Sequence, residues 1–203
     1  MSEIEVFADI ACPFTHAGIR AVMDHRRQLG LSQPRLHVRP WPLELVNDGP
    51  HSGEHLGREI DALQAGAAPH LFAGFDRSRF PTTTLPALVA ELAAYEAGPA
   101  HGEAFSLAVR DALWEHGLDV SDPEVLHQLA DGLGVVLPDL ESDAGVRESW
   151  AEGRRRGVVG SPHFFTEGGD FFCPMLDISE QGGSMKVTVD DTGFESFLVA
   201  AFG

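Results

Sequence analysis

Two cysteines in 203 residues are too few for a disulfide framework. Positive charge is scarce as well: 14 lysines and arginines stand against 31 aspartates and glutamates, a formal net charge of −17. That balance argues against nucleic acid as a partner, since phosphate binding needs a basic face. No apolar run reaches the length of a membrane span, and no basic-then-apolar leader opens the sequence. The expectation is a cytoplasmic chain without membrane contact. In a reducing compartment a retained cysteine is either a packed structural thiol, its usual fate, or a reactive one. The hydrophobic share, 43%, is that of an ordinary globular core. At this length the prior is one domain, or a domain carrying an insertion.

Hydrophobic periodicity orders the elements. Ile4, Val6 and Ala8 alternate with Glu5 and Phe7, as in a strand. A helix is expected from Pro13 to Leu29, stopped by Gly30, and a second strand from Leu36 to Trp41, ended by Pro40 and Pro42. From there to about Ala144 the pattern is helical. The candidates are Glu54–Ala67, Leu85–Ala97 with Thr84 as its cap, and His101–His116. Another helix follows the capping pattern Ser121-Asp122-Pro123-Glu124 and stops at Gly134, and one more runs from Asp143 to Arg156. Strands then return. His163–Thr166 and Asp170–Cys173 flank Glu167-Gly168-Gly169, a hairpin signal, and Met185–Val189 adds a strand after a Gly182-Gly183 turn. Gly193–Phe202 reads as a closing helix.

Cys12 falls where the first strand gives way to the first helix, with Pro13 suited to the first helical position. A cysteine there sits beside unpaired backbone N–H groups and the positive end of the helix dipole. Both favour the thiolate, the form that attacks, so Cys12 is the candidate nucleophile and a lowered pKa is expected. Thr15 stands where a dithiol motif has its second cysteine.

The order β-α-β, helices, β-β-α, with Cys12-Pro13-Phe14-Thr15 at the first junction and Gly160-Ser161-Pro162 before the late hairpin, resembles the DsbA-like branch of the thioredoxin superfamily. That branch holds thiol–disulfide oxidoreductases, 2-hydroxychromene-2-carboxylate isomerases and kappa-class glutathione transferases. Asp9, Pro42-Leu43-Glu44-Leu45 and Gly157-Val158-Val159-Gly160 match as well. The resemblance implies an α/β thioredoxin fold with a central mixed sheet, residues 1–50 and 150–203 forming the thioredoxin-like part and 51–149 a helical insertion. It implies that Pro162 is cis and faces Cys12, leaving the backbone of Ser161 to pair with an extended thiol substrate. It makes Cys12 and Thr15 the catalytic pair, with Pro13, Phe14, His16, Ser161 and Pro162 around the substrate.

Thr15 cannot break a mixed disulfide; it can only hydrogen-bond the sulfur of Cys12. The transferase and isomerase members lack the second cysteine too, but typically carry serine in place of the first. Three readings follow: a thiol–disulfide oxidoreductase working through Cys12, with an external thiol releasing the product; a small-thiol-dependent transferase or isomerase; and a binding protein without chemistry. No tightly bound cofactor or metal is implied, and a low-molecular-weight thiol is the candidate co-substrate. Expected partners are a small thiol or disulfide, with protein thiols and a second copy of the chain as further candidates.

Other residues weigh less. Pairing Glu167 with Asp170 would set Cys173 opposite Phe164, too far from Cys12 for a disulfide, so it reads as a packed thiol. His16 either lowers the Cys12 pKa or is a half-buried polar residue. His51 and His55, four apart, lack a third metal ligand. Arg154-Arg155-Arg156 either complements a helix C-terminus or holds the carboxylates of a small thiol. Phe14 and Trp41 either line an apolar pocket or belong to the core.

Overall fold

A computed structural model of the chain describes residues 3–182 and 184–203. Strand β1 (Glu3–Ala8) lies inside a four-stranded sheet of order β2-β1-β3-β4. It runs parallel to β2 (Arg35–Pro40), with Val6 opposite Val38, and antiparallel to β3 (His163–Thr166), with Val6 opposite Phe164. β4 (Gly169–Phe172) closes the far edge. Helix α1 (Pro13–Gln28) connects the two parallel strands, as any parallel pair requires. Its Ile19 and Val22 join Ile4, Val6, Ala8, Val38 and Phe164 in a cluster completed by Phe197 and Ala201 of α8 (Asp191–Phe202). The residues of β1 that point the other way meet a second cover. Phe7 packs with Trp41 and Val158, against which Trp150 of α7 (Ala144–Arg155) rests.

Between β2 and α7 the chain is helical: α2 (Leu43–Val46), α3 (Gly53–Ala65), α4 (Leu85–Ala97), α5 (Pro99–Trp114) and α6 (Pro123–Leu133). Leu88, Phe105, Val109, Leu113, Trp114 and Leu126 form their core. Directed bonds tie this layer to the sheet: the Tyr95 hydroxyl donates to the Leu36 carbonyl at 3.0 Å, the Leu36 amide donates to Glu103 at 2.7 Å, and the indole of Trp114 donates to the Ile10 carbonyl at 3.0 Å, anchoring the loop that carries Cys12. The α/β thioredoxin architecture expected from the sequence is therefore present. No helix among the described residues is long and apolar enough to cross a membrane.

Three local expectations change. Asp122, not Ser121, caps α6, accepting from the Glu124 amide at 2.9 Å, while Ser121 turns to Asp119. A strand unmarked by clear alternation, β5 (Leu176–Gln181), pairs with β6 (Ser184–Val189) in a separate two-stranded sheet. Of the turn joining them, Gly183 lies outside the described residues. The late hairpin also turns earlier than expected. Gly169 adopts a φ of +137°, a conformation open to glycine, and so enters β4 opposite Thr166. His163 then faces Phe172, and Cys173 comes one step beyond, against Pro162 instead of Phe164.

Candidate active site

Cys12 is the N-cap of α1, with extended backbone angles (φ −86°, ψ 112°) and proline directly after it. Its thiol donates to the carbonyl oxygen of Ser161 at 3.1 Å, and the Ser161–Pro162 peptide is cis. The Ser161 hydroxyl accepts from the Asp9 amide at 2.9 Å and lies 2.8 Å from the Thr15 hydroxyl. Pro162 also lies near α1: a Cβ at Gly18 would stand in ordinary van der Waals contact with its ring, 3.8 Å away, and would press on the end of the Met175 side chain. The structure thus brings Cys12, Pro13, Thr15, Ser161 and Pro162 together at the end of the sheet where β1 stops.

The electrostatics differ from the sequence expectation. Cys12 is only 3% exposed. Burial pushes its thiol up to about 11, although the hydroxyls of Thr15 and Ser161 and the Thr15 amide pull the other way. The helix N-terminus does supply its amide, but the loss of water costs the thiolate more. In this form Cys12 is a protonated thiol at neutral pH, and the expected lowered pKa is corrected.

His16 is engaged with the helical layer. Its Nε2 lies 2.7 Å from Glu115 Oε1, and its ring packs near Phe72 and Trp114. Burial lowers its pKa, against the pull of Glu115. Burial would raise Glu115 in turn, but His16 and the amides of Phe72 and Ala73 outweigh it and hold that carboxyl at about 2. His16 therefore fastens α1 to the helical layer. Phe14 is half-buried against the same helical core. Trp41 belongs to the cluster on the opposite sheet face.

The three arginines have other partners. Arg154 lies over Trp150, Arg155 pairs with Glu152, and Arg156 pairs with Glu5 and lies over Phe165. The two histidines diverge: His51 turns to Thr84, and His55 to Arg58 and Glu59. Among the described residues, no group of three His, Cys, Asp or Glu side chains is placed to hold a metal ion.

Three residues around the site have surroundings that the sequence did not place, and one of them, Glu59, it did not single out. Asp9 is fully buried; one carboxylate oxygen accepts from the Ala11 amide and the Thr84 hydroxyl, the other from the Leu43 amide. Thr84 is therefore engaged with Asp9 and makes no side-chain cap on α4. Its one hydrogen goes to Asp9, so His51 Nε2, 3.1 Å away, must be the donor to it. Glu59 is a carboxyl on the apolar stripe of α3, between Leu56 and Leu63, and that break in the stripe was the available signal. Burial pushes Glu59 up to about 7 despite Arg58, and its charge in turn raises Cys12. Cys173, read as distant, donates its amide to the Pro162 carbonyl at 3.0 Å. Burial, followed by the charge of Cys12, pushes its thiol up to about 12.

A cysteine at a helix N-terminus, bonded to the carbonyl before a cis-proline, is a thioredoxin-type arrangement. The chain belongs to the DSBA-like thioredoxin domain family, whose sequence model matches residues 3–179. No curated protein matches the chain. Among solved structures it is similar to the cytosolic disulfide reductase DsbM from Pseudomonas aeruginosa with GSH. That match has 19% identity and a TM-score of 0.58, covering 95% of this chain and 91% of the other. It is also similar to a 2-hydroxychromene-2-carboxylate isomerase, at 16% identity and a TM-score of 0.58, covering 97% of this chain and 92% of that one. At these identities the structures support the fold.

Proposed function

We propose that the protein is a thiol–disulfide oxidoreductase in which Cys12 attacks a disulfide and a low-molecular-weight thiol from solution releases the product. The observation that supports this reading is the thiol of Cys12 at the α1 N-terminus, set on the Ser161 carbonyl with a threonine hydroxyl at the position of a second thiol. The Cys12 thiolate attacks one sulfur of the substrate; the S–S bond breaks and the other half leaves as a thiol. An external thiolate then attacks the mixed disulfide and frees Cys12. Ser161 and Pro162 offer their backbone to the substrate chain, Pro13 and Phe14 border the nucleophile, and His16 contributes by holding α1 in place. A small thiol is the co-substrate, and the structure with GSH among the neighbours concerns a reductase of this fold. A cytoplasmic location, where small thiols are plentiful, fits this chemistry.

A second reading has one observation in its favour. Cys12 is held protonated, so with Thr15 it can donate a hydrogen bond to the sulfur of a bound small thiol instead of attacking. That is the role required in a thiol-dependent isomerase or transferase. The two readings separate on Cys12→Ser. Reduction of a small disulfide by added glutathione, followed through glutathione reductase and NADPH, should occur with wild type and vanish in the variant. Conversion of an aromatic or electrophilic substrate that persists in the variant would establish the second reading. Silence in both assays would leave a binding protein.

A further inference from the structure

The two cysteines, far apart in sequence, are bonded to consecutive carbonyls of one dipeptide. The Cys12 thiol donates to the Ser161 oxygen at 3.1 Å, and the Cys173 amide donates to the Pro162 oxygen at 3.0 Å. The hairpin register produces this. His163 is paired with Phe172, so the next residue passes the end of the ladder and meets Pro162. Both thiols are free and buried, 3% and 7% exposed. They are also close enough for the charge of Cys12 to resist ionisation of Cys173.

We propose that Cys173 is a second redox thiol, which closes onto Cys12 when external thiol is scarce. The proposal rests on the exchange chemistry above for its first step and goes beyond it in the second. Cys12 attacks a small disulfide RSSR, forming Cys12–S–S–R and releasing RSH. Cys173 then loses its proton to solvent and attacks the Cys12 sulfur. The Cys12–Cys173 bond forms, the bond to R breaks, and RS⁻ leaves to take up a proton. Two protein thiols are oxidised and one RSSR becomes two RSH. Abundant external thiol competes for the same mixed disulfide and later reopens the internal one by two exchanges. The pair therefore protects the nucleophile under oxidising conditions while Thr15 leaves turnover to small thiols.

Intact-mass measurement tests this on the full chain, with 2-hydroxyethyl disulfide as one oxidant and diamide, which accepts two hydrogens directly, as the other. Wild type should lose two hydrogens with either oxidant and carry no adduct, and peptide mapping should link Cys12 to Cys173. Cys173→Ser should instead retain one hydroxyethylthio adduct on Cys12. Because Cys173 has a φ of +46°, Cys173→Gly provides a second variant suited to that backbone and should behave alike. A lasting adduct on wild type, with no loss of two hydrogens in diamide, overturns the pairing and leaves exchange at Cys12 standing. Closure in diamide with no adduct on either Cys173 variant upholds the pairing and overturns the exchange reading.

Discussion

The buried hydroxyls of Thr15 and Ser161 meet at 2.8 Å, although 146 positions separate them. Ser161 also accepts the Asp9 amide, so one serine ties the end of β1, the first turn of α1 and the Pro162 loop together. Both hydroxyls favour the Cys12 thiolate. Where a dithiol site would hold a second sulfur, this chain holds a hydrogen-bond bridge.

Removing that bridge should make Cys12 less reactive. Thr15→Val deletes a hydrogen bond to a group that becomes charged, worth roughly 1.5–3 kcal/mol. One pKa unit corresponds to about 1.36 kcal/mol, so thiolate at a fixed pH should fall about tenfold or more. Iodoacetamide labelling of Cys12 should climb steadily with pH toward about 11 in wild type, and run slower at every pH below that in Thr15→Val. Thr15→Ser, which keeps the hydroxyl, should track wild type. Labelling that already levels off near pH 7 would contradict the burial argument.

Glu59 should make stability fall between mildly acidic and neutral pH. Its carboxyl is raised from 4.5 to about 7 in the folded chain. The folded state therefore holds a proton that the unfolded state gives up. The stability tied to that proton is complete below pH 4.5 and is lost as pH rises through about 7. Glu59→Gln should match wild type near pH 4 and exceed it at pH 8 by up to about 3 kcal/mol in urea unfolding. Losing this charge should also speed Cys12 labelling at pH 8, because Glu59 opposes the thiolate. Equal stability of the two proteins at pH 8 would show that Glu59 is solvated.

Glu115 carries the opposite sign. Its carboxyl is lowered from 4.5 to about 2, so its contribution is present above pH 4.5 and disappears as pH falls through about 2. Glu115→Ala would leave the amides of Phe72 and Ala73 and the buried His16 ring without their acceptor. A loss of roughly 1–3 kcal/mol is expected for such unmet donors. Cys12 labelling measured under fully folded conditions should stay within a few-fold of wild type. A large change there would return His16 to the thiol chemistry.

How far the sequence reaches depends on the distance over which each property is decided. The helix start at Cys12 follows from neighbours, an apolar strand before it and Pro13 after it, and it is where the pattern places it. The sign of the Cys12 pKa follows from burial, which depends on packing from elements far along the chain. One of these, α3, brings Glu59 toward the thiol. His16 is adjacent in sequence to the site, yet its direction is decided by Glu115, 99 positions away. Thr84 has the composition of a helix cap but is taken up by buried Asp9. The position of Cys173 turns on Gly169, whose positive φ shortens the hairpin turn.

Supplying a thiol at position 15 should convert the chemistry from external to internal release. The cleanest background is Cys173→Ser, where Cys12 has no natural partner. With 2-hydroxyethyl disulfide that parent should keep its adduct, and adding Thr15→Cys should remove it, leaving a protein two hydrogens lighter than its reduced form. The introduced thiol lies on the first turn of α1, where the Thr15 hydroxyl and amide favour the Cys12 thiolate. A thiol there is also exposed to the same helix N-terminus that favours thiolates. With no glutathione added, thiol titration should therefore find two RSH released per chain from the double variant, in a single burst. The Cys173→Ser parent should release only one RSH per chain until glutathione is supplied. If the adduct instead persists on the double variant, position 15 is not within reach of the mixed disulfide. Thr15 would then serve only as the bridge to Ser161, and the site would not be a dithiol site lacking one sulfur.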